Sequence, residues 1–239
     1  MIDLTEELKA MAAPEMQLPP LRVDPAAIRT VMINEVVPEC PENDFYGSAP
    51  APLYLSTALT LFRQAGFPAS SIHDVTDAGI YITNAVKTPK RETTVPQAMI
   101  EESLPALERE LSLFPNLRAV MLMGDVAKKA FNLIARGRTG KNAIPPGSTY
   151  KLRRTPFHAM GLRIFPSYIM TGRNILIEKS KMTMAAEDIR AMLEFIRGQE
   201  QPAASFRQRA VVKQDEPLTF QQAPAPMIHA AGGREHEHH

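Results

Sequence analysis

Glu35, Asn84 and the segment Phe165-Pro166-Ser167-Tyr168 each follow or end an apolar run that reads as a buried strand, and Phe45 lies one loop beyond the first of them. In an open α/β sheet, ligands bind at the strand ends. A carboxylate there can direct a water molecule or favour a developing cation. An aromatic ring can stack on a flat ligand, and a carboxamide both donates and accepts along its edge. The set suits a flat, hydrogen-bonding ligand such as a nucleobase. Each residue also has a plainer reading: Glu35 capping backbone amides, Phe45 packing in the core, Asn84 closing a local turn. An Asn at the end of an apolar strand is costly to bury without a partner, which favours a ligand-facing role.

The elements that must position these groups alternate along the chain. Ile28–Val37, Gly79–Val86 and Leu117–Met123 read as buried strands rich in β-branched residues. Leu53–Ala65, Pro96–Phe114, Val126–Ala135 and Met182–Ile196 carry apolar residues at helical spacing, with Pro105 a kink in the second of them. Thr149–Arg154 and Gly161–Phe165 suggest a hairpin whose second arm joins the main sheet. Asp125 is placed to cap the helix after Gly124, and that glycine permits a close turn. Pro38–Pro52 is long for a connection and reads as a functional loop. Alternating strands and helices predict a three-layer α/β/α domain with a central, mostly parallel four-stranded sheet. That domain spans 28–196, preceded by an arm (1–27) and followed by a tail (197–239) whose composition predicts disorder.

Composition narrows the function. The chain has no Trp and only 6% aromatic residues, which argues against an aromatic platform for single strands. Its one cysteine, Cys40, excludes a disulfide framework and any cysteine-only metal site within one chain. No metal site is expected. No apolar run approaches the roughly 20 residues of a membrane span, and the acidic N-terminus lacks a signal-peptide core, so a cytoplasmic protein is expected. The net charge of +1 hides an asymmetry: Val126–Ile177 contains no Asp or Glu. Arg136, Arg138, Lys141 and Arg173 in that stretch are candidate phosphate contacts; the alternative is a set of solvated loops.

Four segments together resemble the uracil-DNA glycosylase superfamily, nearest its iron–sulfur class. These are Asn34-Glu35-Val36-Val37-Pro38 with Asp44-Phe45-Tyr46-Gly47; Tyr81-Ile82-Thr83-Asn84-Ala85-Val86-Lys87; Met123-Gly124-Asp125; and Phe165-Pro166-Ser167. They follow the family's order over about 28–196. The resemblance implies that Glu35 orients water or stabilises charge, that Phe45 stacks on the base, and that Asn84 reads its edge. The Phe165–Tyr168 loop would contact DNA. It also implies a DNA partner carrying uracil or another deaminated base. Protein partners are not legible, and a monomer is expected.

The departures are specific. Thr88 and Ser103 stand where the iron–sulfur class has cysteines, so no cofactor and no iron–sulfur cluster is expected, and the segment between them would be held by packing alone. Phe165 replaces a histidine that donates to the departing base, and losing such a donor typically costs about 100- to 1000-fold. The resemblance therefore leaves three readings. One is a glycosylase-like hydrolase. Another is a nucleic-acid or nucleotide-binding protein of the same fold with little or no cleavage. An enzyme for a free nucleoside or other small glycoside is a third.

Overall fold

The computed structural model describes residues 1–172, 175 and 177–198. A short antiparallel ribbon, β1 (Ile2–Asp3) and β2 (Arg22–Val23), encloses helix α1 (Leu4–Leu8). There follow β3 (Thr30–Val36), α2 (Leu53–Gln64), α3 (Ile72–Asp77), β4 (Ile80–Val86), α4 (Gln97–Leu113), β5 (Ala119–Met123), α5 (Asp125–Thr139), α6 (Thr149–Leu152), β6 (Phe157–Ala159), β7 (Leu162–Ser167) and α7 (Lys179–Arg197). The sheet order is β4-β3-β5-β7-β6, parallel except for β6.

Strand alternation builds the three layers. Val31, Ile33, Val120, Leu122 and Ile164 face a core that includes residues of α4 and α5. Met32, Ile82, Met121 and Phe165 face the opposite core, with residues of α2 and α7. Both faces are covered, so the strands are apolar almost throughout, as parallel strands must be. The arm joins the first core through Leu4, Leu21 and Val23. Among the described residues, no helix is long and apolar enough to cross a membrane.

Three expectations change. Among the described residues the sheet has five strands, because the hairpin contributes both arms. Its first arm is Phe157–Ala159, and Thr149–Leu152 is helical instead. The reason is the turn: Met160 and Gly161 both have positive φ (51° and 70°), the geometry of a two-residue hairpin loop, and this pairs Ala159 with Leu162. Helix α3 was not anticipated, although Ser71 and Asp74 form a capping box that marks its start. Bonds from Ser70 and Ser71 lower the Asp74 carboxyl to about 2.

One polar cluster lies inside the first core. Tyr81, Thr83 and Lys87 point alternately from β4 and its end toward α4. There Glu110 accepts from the Tyr81 hydroxyl (2.8 Å), the Thr83 hydroxyl (3.0 Å) and Lys87 Nζ (2.8 Å). Lys87 and Glu110 are both buried. The Lys87 N–H donates to Ser103 Oγ at 3.0 Å, so the segment from Thr88 to Ser103 is held by a buried polar tie as well as by packing. This donor set does not fit a cysteine-ligated cluster. Ser103 offers a hydroxyl that accepts from the Lys87 N–H, and Cys40, the chain's one thiol, is exposed.

Removing one member of a buried ion pair strands the other charge. Lys87→Met should therefore cost about 3–5 kcal/mol in urea unfolding. The double variant Lys87→Met, Glu110→Leu should recover much of that loss. Equal losses in the single and double variants would show that packing, not the charge pair, governs this site.

Candidate functional site

Parallel register brings the site together at the C-terminal edge of the sheet. Asn34 on β3 is opposite Asn84 on β4, and the Asn34 Nδ2 group donates to Asn84 Oδ1 at 2.7 Å. Asn84 Nδ2 in turn lies 3.1 and 3.0 Å from the two carboxylate oxygens of Asp44. At the other end, Thr171 Oγ1 donates to Asn34 Oδ1 at 3.0 Å. The result is a directed chain, Thr171 to Asn34 to Asn84 to Asp44. The Phe45 N–H also donates to Asp44, at 2.8 Å. Burial pushes the Asp44 carboxyl above its ordinary value, against the pull of the Phe45 amide, Asn84 and Lys87.

Asn84 is thus 4% exposed, with both ends of its amide engaged inside the protein. Phe45 is buried too, its ring 5.6 Å from that of Tyr54. Burial also raises the Tyr54 hydroxyl, and the charges of Asp44 and Glu35 add to the shift. Tyr54 therefore sits within the fields of both carboxylates.

Glu35 points to the other face of the sheet. The pairing of Ile33 with Leu122 places Glu35 level with Gly124, where α5 begins. Glu35 Oε1 accepts from the Val126 N–H at 3.0 Å. The capping carboxylate of α5 is therefore Glu35, not Asp125. Asp125 is the first helical residue, and its Oδ1 meets Lys128 Nζ at 2.6 Å. Gly124 has φ +100°, and a Cβ there would fall 2.3 Å from Glu35 Oε1. Both the backbone conformation and the close approach demand glycine. Glu35 is half-buried, and its side chain is fixed in place by the Val126 amide and by the close packing of Gly124.

The remaining sequence candidates are scattered. Phe165, Pro166 and Ser167 belong to β7 rather than to a loop. Phe165 packs edge-on against Phe195 at 5.8 Å, with the Arg163 guanidinium 4.5 Å from its centroid. Ser167 is fully buried and donates to Asp188 at 2.7 Å; Asp188 is also held by Arg153. Tyr168 is half-buried beside Met184. Arg136 bonds Asn142 and Arg138 bonds Glu108 near the far end of α5. At about 1.5 Å per residue, that end lies roughly 20 Å along the helix from the Glu35 cap. Lys141 is exposed beyond it. Arg173 and the tail beyond 198 lie outside the described residues.

Asn34, Asp44, Tyr54 and Thr171 were not singled out from the sequence. The signal for Asn34 was available, because it ends an apolar run as Asn84 does and carries the same burial cost. Asp44 and Thr171 lie in loops, where no periodicity marks a contact.

A family model described as the uracil DNA glycosylase superfamily matches residues 45–189, and the chain belongs to that superfamily. The matched span includes Phe45, Asn84 and Phe165–Tyr168 and begins after Glu35. No curated protein matches the chain.

Two substitutions probe this geometry. Gly124→Ala should cost about 1–3 kcal/mol, because the glycine-only conformation is lost and Glu35 must move. Thermal or urea unfolding measures this, and an unchanged stability would mean that the turn relaxes freely. Asn84→Asp puts a carboxylate against Asp44, and two such groups cannot both ionise cheaply. The folded-state pKa of the pair rises, so the penalty is present above it and is relieved as pH falls. The variant should be least stable relative to wild type near pH 8 and converge with it toward pH 5. A pH-independent difference would remove Asp44 from contact with Asn84.

Proposed function

We propose that this chain is a DNA glycosylase that hydrolyses the N-glycosidic bond of uracil or another deaminated base. The observation that carries the reading is the fixed Glu35 carboxylate, set at a strand end by Gly124 and the Val126 amide. Cleavage develops positive charge on the sugar and negative charge on the base. A preorganised anion beside the sugar favours the cation and can orient the attacking water. Superfamily membership supports the substrate class. Reading of an extruded base by Asn84 requires the Asn34–Asn84–Asp44 chain to exchange an internal partner for the base, since Asn84 is covered.

The second reading is a binding protein of the same fold with little or no cleavage. Phe165 favours it: the side chain offers no donor to the departing base and packs against Phe195. On the first reading the same feature makes the enzyme slow, by about 100- to 1000-fold relative to a site with that donor.

The test is alkali-revealed strand cleavage of single- and double-stranded oligonucleotides carrying uracil, hypoxanthine or xanthine, with Glu35→Gln alongside. Glutamine keeps an acceptor for the Val126 N–H, so the fold is retained while the charge is lost. Cleavage by wild type that drops at least about 100-fold in the variant supports the glycosylase. Undiminished cleavage takes Glu35 out of the mechanism. No cleavage with retained, salt-sensitive DNA binding supports the second reading.

A further inference from the structure

The loop between β3 and α2 does not close fully on the N-terminal arm. A cleft of about 340 Å³ lies between Gln17, Leu18 and Pro20 on the arm and Pro41, Asp44 and Tyr46 on the loop. Both walls are tied to β4. The Gln17 N–H donates to Lys87 O at 2.8 Å. The Tyr46 hydroxyl donates to Ile82 O at 2.8 Å and accepts from Ile82 N at 3.2 Å. The loop is kept tight by Gly47, where a Cβ would fall 2.1 Å from Glu42 O. The volume falls within the range of small-molecule sites, about 300–1,000 Å³.

The polar groups of this cleft are biased toward one kind of partner. Asp44 accepts from Asn84 and Phe45, but an ionised carboxylate offers about four lone-pair sites, so accepting capacity remains. Gln17 Nε2 is fixed on Pro38 O at 3.1 Å. Gln17 Oε1 is buried and has no donor among the described residues. Glu42 adds a second negative charge, and none of the lining residues is Lys or Arg. Leu18, Pro20 and Pro41 supply apolar surface in the lining. A ligand group that meets the Asp44 carboxylate must donate to it, because a carbonyl oxygen turned toward Asp44 would meet another acceptor.

We infer that this cleft binds a planar heterocycle bearing an amino or amidine group, of the adenine or cytosine type, which donates to Asp44. The source is either a free nucleoside or an unpaired base of single-stranded DNA. The inference does not depend on cleavage, because the cleft's lining does not include Glu35. A protein that binds amino-bearing bases but cuts nothing would keep this inference and lose the proposed function; the opposite result would do the reverse.

The experiment is isothermal titration of the full chain with adenosine, cytidine, uridine and inosine, and with short single-stranded dA and dT oligomers. Adenosine or cytidine should bind at least about tenfold more tightly than uridine and inosine. A preference seen only between dA and dT oligomers assigns the source to strand bases. One seen with nucleosides assigns it to the free compounds. Asp44→Asn should remove the preference. Ser48→Trp, at an exposed lining position, should block binding with Asp44 intact, and thermal melts should confirm that both variants are folded. Four outcomes would overturn the inference. These are equal binding of uridine and adenosine, no binding of any nucleoside or oligomer at millimolar concentration, binding untouched by both substitutions, or binding of arginine or putrescine without adenosine.

Discussion

The site depends on a register. Parallel pairing sets Asn34 opposite Asn84, at the depth where an apolar strand gives way to loops, and neither amide can be buried alone at tolerable cost. Their hydrogen bond determines which way each amide faces, and the remaining valences reach outward to Thr171 and Asp44. The segment after β7 and the loop after β3 are thereby fastened to the strand ends by one continuous chain of donors and acceptors. Such networks are rigid when complete and costly when one member fails.

Two anionic groups border this chain with different characters. Glu35 is anchored at a helix terminus, where it accepts from a backbone amide. Asp44 is pushed toward its neutral form by burial and pulled back by Phe45, Asn84 and Lys87. Tyr54 lies in the fields of both. The buried Lys87–Glu110 pair bears on Asp44 from the opposite face of β4, since Lys87 lowers the Asp44 carboxyl while Glu110 raises it.

Long-period features were legible in the sequence. The principal helices and buried strands sit within a few residues of where their periodicity places them, because the parallel sheet is covered on both faces and its strands are apolar almost throughout. Chain-reversal geometry was not. The hairpin arm was misplaced because the positive φ at Met160 is invisible to composition, and Ser148 with Thr149 starts a helical turn in a segment that reads as strand. The site was half legible. Glu35 and Asn84 announce themselves as polar residues at apolar strand ends, but their partners are fixed by register and by loops. The carboxylate at the start of α5 comes from 90 residues away, where the sequence offers an acid at the helix start itself.

Tyr46 carries a consequence for how molecules of this protein meet one another. β4 is an outer strand, and an outer strand offers its unpaired amides and carbonyls to any extended chain that approaches. At Ile82 both of those groups are already occupied by one phenol. The loop that shapes the cleft therefore also closes the middle of the sheet's open side against strand addition by a second copy. Shortening or loosening that loop would uncover those groups, so the cover on that edge and the shape of the cleft rest on the same hydroxyl.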